Sequence, residues 1–270
     1  MILSAALMHG LGHQPGAWRV RQGPASDYVS PEMYAAMARK AEAGKLHVLF
    51  LAEQITNLEV GAARPCGAMD TAAVLSFMAA VTSRIGLVGT ASTTYSQPYD
   101  IARRFATADH LSKGRVGWNA VTTAHAVAAE MYGTGGHPEA LQRYSRADEF
   151  IDVVIKLWES WEQDALVGDK QNNVFADPAK IHAINHAGES FSVRGPLPFM
   201  RSRQGRPLIF HAGSSPAGRD QAARFADVVF TAQHTTEGAK AFRTDMRRRS
   251  EGHGRHPDSI KILPGMISKA

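Results

Sequence analysis

The sequence predicts an α/β protein built on a parallel sheet. Short apolar runs with strand character alternate with stretches whose apolar residues recur at helical spacing. Such alternation is typical of parallel strands, because each crossover between them needs a helix-sized connection. The chain has 270 residues, of which 44% are hydrophobic, and this is enough for one substantial core of barrel size. The pattern alone does not separate a barrel from an open, doubly wound sheet.

Seven strands and three helices account for most of the alternation. The strand-like runs are Leu3–Met8, Leu46–Leu51, Ile85–Gly89, Arg115–Asn119, Pro207–His211, Asp227–Thr231 and Ile260–Leu263. Apolar faces predict helices over Thr71–Ser83, Tyr99–Leu111 and, most clearly, Arg146–Trp161. We expect a single domain over residues 1–270 with two irregular interruptions. These are the loop Ala52–Asp70 and the insertion Asp164–Arg206, which contains the strand-like Ser190–Val193.

Charge and composition argue against several classes of protein. The net charge is +5, but much of the basic excess lies near the end, in Arg243 and 247–249, beside acidic residues. This is typical of a solvated helix face, so we expect no nucleic-acid partner. No run of about 18 apolar residues occurs, and the N-terminus lacks the basic start of a secretion signal, so we expect no membrane association. The single cysteine, Cys66, cannot form an internal disulfide, which predicts a reducing, cytoplasmic location.

Common nucleotide and metal motifs are missing from the sequence. No Gly-x-Gly-x-x-Gly follows a strand and there is no Walker loop, so neither dinucleotide nor nucleoside triphosphate binding is supported. His9 and His13 have a spacing that suits a metal on a helix, but the glycines and proline around them make a helix improbable. We therefore expect no metal site, and we interpret this segment as a loop that touches the substrate.

Hydroxyl and amide side chains follow two of the predicted strands. Thr90 ends one strand and Asn119 ends the next. Because the carboxyl ends of parallel strands meet at one edge of the sheet, this is where an α/β enzyme binds its ligand. A structural role remains open for both residues, since Thr90 suits a strand and Asn119 suits a turn or a cap.

A loop rich in small residues, His211–Gly218, lies between a strand and a predicted helix. Pro216 suits the first helical turn, and the serine before it suits the N-cap. Serine oxygens, backbone N–H groups and a helix N-terminus together favour a bound phosphate, although an ordinary capped helix explains the same residues. A nucleophile elbow is excluded, because Ala217 stands where Gly-x-Ser-x-Gly needs its second glycine.

Several blocks in one order along the chain resemble a known family. They are His13–Arg19, Leu49–Glu53, Gly86–Tyr99, Gly114–Thr123, Arg143–Phe150, His186–Pro196 and His211–Gly218. The sequence is similar to flavin-dependent monooxygenases of the bacterial luciferase superfamily, in the branch of nitrilotriacetate monooxygenase and dibenzothiophene-sulfone monooxygenase. The resemblance implies a (β/α)8 TIM barrel of the luciferase-like type. Members of this branch are longer, so we expect a chain truncated at its C-terminus and a barrel that is incomplete there.

The resemblance also implies a set of flavin-binding residues. Ser215 matches the family's phosphate-loop serine, with Ser214 beside it, and Tyr144 matches a tyrosine next to the phosphate. Thr90 and Asn119 match polar groups near the flavin ring or the substrate. Glu53 stands where relatives carry an aspartate that faces the flavin.

One departure from the family pattern concerns a histidine. Relatives place it four residues before the tyrosine, where this chain has Ala140. His137 is either a substitute for that histidine or an ordinary loop residue.

The function implied by the resemblance is that of a two-component, FMN-dependent monooxygenase. A separate NAD(P)H:flavin reductase would supply reduced FMN, and O2 would oxygenate a small organic substrate such as an amine, a sulfur heterocycle or a chelator. Two alternatives are a deazaflavin (F420)-dependent oxidoreductase of the same superfamily and a truncated, inactive flavin-binding paralogue. We also expect a homo-oligomer, because the open barrel edges and the apolar stripe of Arg146–Trp161 would leave apolar surface uncovered.

Overall fold

The computed structural model describes residues 1–7, 11–12, 16–55 and 69–265. Its strands are β1 Ser4–Leu7, β2 Val48–Leu51, β3 Gly86–Ser92, β4 Val116–Val121, β5 Leu166–Asp169, β6 Val174–Ala176, β7 His186–Ala187, β8 Ser192–Val193, β9 Leu208–His211, β10 Val228–Thr231 and β11 Lys261–Pro264. Its α-helices are α1 Ala17–Val20, α2 Pro31–Ala43, α3 Thr71–Val81, α4 Pro98–Ser112, α5 Ala128–Tyr132, α6 Ala140–Trp158, α7 Pro216–Phe225 and α8 Thr236–Gly252. Two short 3-10 helices cover Ala25–Val29 and Pro178–Lys180.

The main sheet has seven strands in the order β1-β2-β3-β4-β9-β10-β11, and every neighbouring pair is parallel. All seven predicted strands are found, each within a few residues of its predicted range. The order follows the chain without reversal, whereas a doubly wound sheet reverses at a switch point. Since crossovers between parallel strands are right-handed, this order places the helices on one face and curls the sheet as in a barrel.

The two faces of the sheet form separate apolar clusters. Leu49, Leu87 and Trp118 belong to the large cluster that packs against the helices. A smaller cluster on the opposite, inner face contains Val88, Phe210 and Val228, with Phe50 and Leu263 packed against it. This division follows from the period of two along each strand. The inner face is therefore apolar along the middle of the strands and becomes polar at their carboxyl ends.

Helix α6 is longer than its apolar pattern predicts. It begins at Ala140, six residues before the predicted start at Arg146, and its N-terminus is closed by a capping box between Glu139 and Gln142. The residues of its apolar stripe from Phe150 to Trp158 are at most 3% exposed. The stripe is covered within one chain, so that part of the argument for an oligomer was wrong.

The insertion after α6 forms two small antiparallel hairpins, β5–β6 and β7–β8. Glu149 of α6 holds the second hairpin. Its carboxylate accepts hydrogen bonds from His186 Nε2 at 2.9 Å and from the backbone N–H groups of Ser190 at 2.8 Å and Phe191 at 2.9 Å. The insertion thereby packs Phe191 into the core beside Phe150. Among the helices that the structure describes, none is long and apolar enough to cross a membrane.

Candidate active site

The predicted site residues gather at the carboxyl edge of the sheet. Thr90 and Asn119 are direct neighbours in the β3–β4 register, and the loops after β2 and β9 leave the sheet at the same edge. His9 and His13 lie outside the described residues. Within the described part, no group of three His, Cys, Asp or Glu side chains is arranged to hold a metal.

Thr90 and Asn119 form a fixed pair. Asn119 Nδ2 donates to Thr90 Oγ1 at 3.0 Å, and Thr90 Oγ1 donates to the Leu51 carbonyl at 2.9 Å. Because the threonine has only one hydroxyl proton, the asparagine must present its NH2 group to it, which fixes the orientation of the amide. Asn119 Oδ1 is then a buried acceptor that no described residue pairs with. The pair is 5% and 3% exposed, so this acceptor needs a donor from a ligand or a water.

Glu53 lies two residues beyond the end of β2. Burial and the nearby charge of Asp70 raise the pKa of the Glu53 carboxyl to about 7, although a hydrogen bond from the Ser92 backbone lowers it in part. A carboxyl group with this pKa exchanges a proton near neutral pH. Sequence analysis identified the position, but the proton affinity depends on burial and on Asp70, which lies seventeen residues away along the chain.

Hydroxyl groups shape the loop that follows β3. Ser92 Oγ accepts from the backbone N–H groups of Thr94 at 3.1 Å and Tyr95 at 3.3 Å, and from Thr123 Oγ1 at 2.7 Å. Thr93 Oγ1 donates to the Val121 carbonyl at 3.1 Å. These bonds tie the loops after β3 and β4 together, so the hydroxyl groups of Ser92, Thr93 and Thr123 stabilise the loops around the site.

The His211–Gly218 loop contacts Tyr144 of α6. Ser215 is the N-cap of α7, and its Oγ accepts from Gly218 N at 3.1 Å and lies 3.1 Å from Tyr144 Oη. A Cβ on Gly213 would stand 2.8 Å from Gly218 Cα, so the loop closes on itself only with glycine at both positions. Ser214 and Ser215 are exposed at the helix N-terminus. This arrangement suits an anion such as a phosphate.

A buried relay that the sequence did not reveal orients this loop. His211 Nδ1 accepts from Gly213 N at 2.9 Å, so its Nε2 donates to Gln221 Oε1, also at 2.9 Å. Gln221 Nε2 then donates to Asp148 Oδ1 at 2.7 Å. Burial lowers the pKa of His211, which favours the neutral ring that these bonds require. The histidine opens the loop in the sequence, but its partners come from two different helices.

His137 makes its contacts in another direction. Its Nδ1 lies 2.7 Å from Tyr95 Oη, and Tyr95 stacks on Tyr132 with ring centroids 4.9 Å apart. The structure therefore brings together Tyr144 with Ser215 and Thr90 with Asn119. It places Glu53 near Ser92 at the end of β3 and joins His137 to the loop after β3.

Comparison with known proteins identifies the family of this chain. The sequence profile of the luciferase-like monooxygenase family matches residues 13–267. The chain belongs to this family. It is 43% identical over 258 residues to N-acetyl-S-(2-succino)cysteine monooxygenase of Bacillus subtilis (strain 168), covering 96% of this chain and 58% of the relative. It is 44% identical over 264 residues to nitrilotriacetate monooxygenase component A of Aminobacter aminovorans, covering 93% and 58%.

Solved structures of this luciferase-like family share the fold. A long-chain alkane monooxygenase superposes with a TM-score of 0.90 at 37% identity, covering 98% of this chain and 63% of that chain. A riboflavin lyase crystallised with modified FMN gives a TM-score of 0.87 at 33% identity, covering 98% and 62%. The F420-dependent tetrahydromethanopterin reductase of Methanopyrus kandleri, at 14% identity, is similar in fold alone. The family member described here spans about 58% of the length of the curated relatives that it matches.

Proposed function

We propose that this protein is a two-component, FMN-dependent monooxygenase. A separate NAD(P)H:flavin reductase would provide reduced FMN, and one oxygen atom of O2 would enter a small organic substrate. The observation that carries the proposal is the buried Oδ1 of Asn119, which has no partner among the described residues and is held in place by Thr90 at the edge where this fold binds its ligand. A flavin ring carries an N–H group that would satisfy this acceptor.

Groups that suit the phosphate of FMN lie at the N-terminus of α7. Ser214, Ser215 and Tyr144 present hydroxyls at the N-terminus of α7, where the Gly213–Gly218 contact keeps side chains away from the backbone N–H groups. A phosphate would accept hydrogen bonds from these groups and gain from the helix dipole. These residues therefore fit the phosphate, and Asn119 with Thr90 fits the ring.

The chain's own residues supply binding, orientation and proton control. When bound, reduced FMN would supply two of the four electrons that O2 accepts, and the substrate the other two as one oxygen atom enters it and the second leaves as water. The apolar inner face formed by Val88 and Phe210 keeps water from the site below the strand ends. Glu53, with a pKa of about 7, can hold or release a proton there at neutral pH. We expect this reaction to occur in the cytoplasm, where a reductase partner has access to NAD(P)H.

A flavin titration tests the proposal directly. FMN binding is followed by quenching of flavin fluorescence, with the parent protein, Ser215→Ala and the exposed control Ser83→Ala. Loss of one hydroxyl bonded to a charged phosphate costs roughly 1.5–3 kcal/mol, so the Kd of Ser215→Ala should rise about tenfold or more. The control should bind as the parent does. An unchanged Kd for Ser215→Ala would remove the phosphate assignment, and no FMN binding by the parent would overturn the proposed function.

Turnover separates the alternative chemistries. The protein is assayed with a flavin reductase, NADH and O2, and separately with reduced F420 in the absence of O2. Oxygen-dependent product with FMN supports the monooxygenase. Substrate reduction by F420 without O2 would replace it with deazaflavin chemistry, and FMN binding without any turnover would indicate an inactive flavin-binding protein.

A further inference from the structure

Three polar side-chain atoms near the start of α6 are buried without a hydrogen-bond partner among the described residues. They are Thr94 Oγ1, His137 Nε2 and Arg143 Nε, and we refer to these three residues as the donor cluster. Leaving a buried donor unpaired costs folding free energy, so such groups call for a ligand or a bound water. The donor cluster lies at the same edge of the sheet as the proposed flavin site, because Thr94 follows β3 directly.

The hydrogen bond of Tyr95 determines what His137 offers. Tyr95 Oη lies 2.7 Å from His137 Nδ1, and this is the acceptor that the described residues provide for the phenolic proton. When Tyr95 donates to Nδ1, the ring proton of a neutral histidine resides on Nε2. His137 Nε2 is therefore an N–H donor for which the described part of the chain provides no acceptor.

Arg143 adds a second donor of fixed direction. Its Nη1 donates to the Pro138 carbonyl at 2.6 Å, which anchors the guanidinium beside His137. Burial raises the pKa of Tyr95 and lowers that of His137, and the positive charge of Arg143 acts downward on both. Together with the Tyr95–His137 and Arg143–Pro138 hydrogen bonds, this places the three side chains near one another. A guanidinium Nε–H can only donate. Two N–H donors and one hydroxyl thus share a positively charged region.

The donor cluster is separate from the Ser215 site. Tyr144 and Asp148 are one helical turn apart and face α7 through Ser215 and Gln221. Relative to Tyr144, Arg143 lies about 100° and Arg146 about 160° around the axis of α6, and Arg146 Nε donates to the Thr94 carbonyl at 3.4 Å. The start of α6 therefore serves two sites, and a phosphate at Ser215 leaves the donors on the other face unpaired.

We propose that the donor cluster binds an acidic group of the substrate, a carboxylate or a similar oxyanion, and that this protein oxygenates small organic acids rather than neutral compounds. The inference rests on the proposed function for the position of the flavin. An oxyanion provides several acceptor lone pairs for donors in one region, and charge-assisted hydrogen bonds strengthen where water is excluded. A neutral alkane or sulfide would leave all three donors unpaired.

Binding of a simple dicarboxylate tests the inference without turnover. Succinate is titrated into the protein, with its neutral diamide, succinamide, as the matched probe, and the His137 ring is followed by NMR as a function of pH. Burial and the charge of Arg143 hold the pKa of His137 below its usual value, and Glu139 opposes them. A carboxylate at Nε2 should raise the pKa of His137, whereas succinamide should leave it unchanged. No shift with succinate would overturn the inference.

Two substitutions test whether succinate binds at the donor cluster. Arg143→Gln and His137→Ala should each weaken succinate binding about tenfold, because each loses a hydrogen bond to a charged group. Arg243→Gln removes the same charge from an exposed ion pair on α8 and should bind succinate as the parent does. Thermal melting checks that the variants fold, and the NMR titration of the parent protein does not depend on them. If all three variants lost succinate affinity equally, the effect would be one of net charge, and succinate binding at the donor cluster would be contradicted.

Flavin titrations distinguish this inference from the proposed function. Both variants should retain the FMN affinity of the parent within about twofold. If Arg143→Gln weakens FMN but not riboflavin, the donors serve the flavin phosphate and the inference is wrong, while the proposed function stands. If the parent does not bind FMN but binds succinate through the donor cluster, the proposed function fails and the anion site remains.

Discussion

Glu53 couples folding stability to pH. Its pKa is about 7 in the folded protein and close to 4.5 in the unfolded chain, so between these values the folded state binds more protons. The contribution of Glu53 to the free energy of unfolding is therefore largest below about pH 4.5 and decreases as the pH rises toward 7. The difference corresponds to about 3 kcal/mol at alkaline pH.

Denaturant unfolding at several pH values measures the contribution of Glu53. Relative to the parent, Glu53→Gln should gain stability as the pH rises from 4.5 to 8, by about 3 kcal/mol in total. The exposed control Glu32→Gln should follow the parent curve. Parallel curves for Glu53→Gln and the parent would show that the carboxyl ionises as it does in water.

At the scale of residues, the sequence predicts positions better than partners. Ser215 was recognised as an N-cap because its signal, a serine before Pro216, is local. The relay from His211 to Asp148 carries no such signal, since packing of α7 against α6 creates it. The same holds for His137, whose bond to Tyr95 spans forty-two residues. Chemistry that depends on tertiary contacts is visible only in the fold.

At the scale of elements, α3 packs against β3 through Gly89. A Cβ there would lie 2.8 Å from Leu75 Cδ1 and 3.2 Å from Thr71 Cβ. Gly89→Ala should therefore force the helix outward and destabilise the protein by about 1–3 kcal/mol. Gly136→Ala is the matched control, because its Cβ would meet nothing within 4 Å, and it should be neutral or nearly so. Denaturant unfolding measures the free energy of unfolding of both variants. If Gly89→Ala were as stable as Gly136→Ala, the contact between α3 and β3 would accommodate a methyl group without cost.

Element boundaries deviate from the prediction where polar residues form the helix. The first turns of α6 contain Gln142, Arg143 and Tyr144, which give no apolar period, and the capping box replaces that signal. Helix α2 was not predicted, although Ser30 caps it and Pro31 occupies its first turn. The extra turns of α6 matter for function because they position Tyr144 and Arg143.

At the scale of the whole molecule, strand order required the structure. The pattern along the sequence suits a barrel or a doubly wound sheet equally well, because it shows that strands and helices alternate but not the order of the strands in the sheet. The resemblance favoured the barrel, and the order without reversal confirms it. Within the described residues, β1 and β11 each pair with a single neighbour, and Phe230 on the inner face is 39% exposed.

We expect the protein to form a dimer or a larger assembly. The stripe of α6 no longer supports this, but the β5–β6 hairpin exposes Leu166, Val167, Val174 and Phe175, and Phe175 alone is 74% exposed. A contiguous apolar hairpin of this kind is costly in water, and burial against a second copy would remove the cost. Light scattering at micromolar concentration should show a dimer or larger species that Phe175→Ser weakens. Leu111→Ser, which removes an isolated exposed side chain from α4, should leave the assembly intact. A stable monomer of the parent protein would contradict the expectation, whereas an assembly indifferent to Phe175→Ser would place the contact at the open edges of the sheet instead.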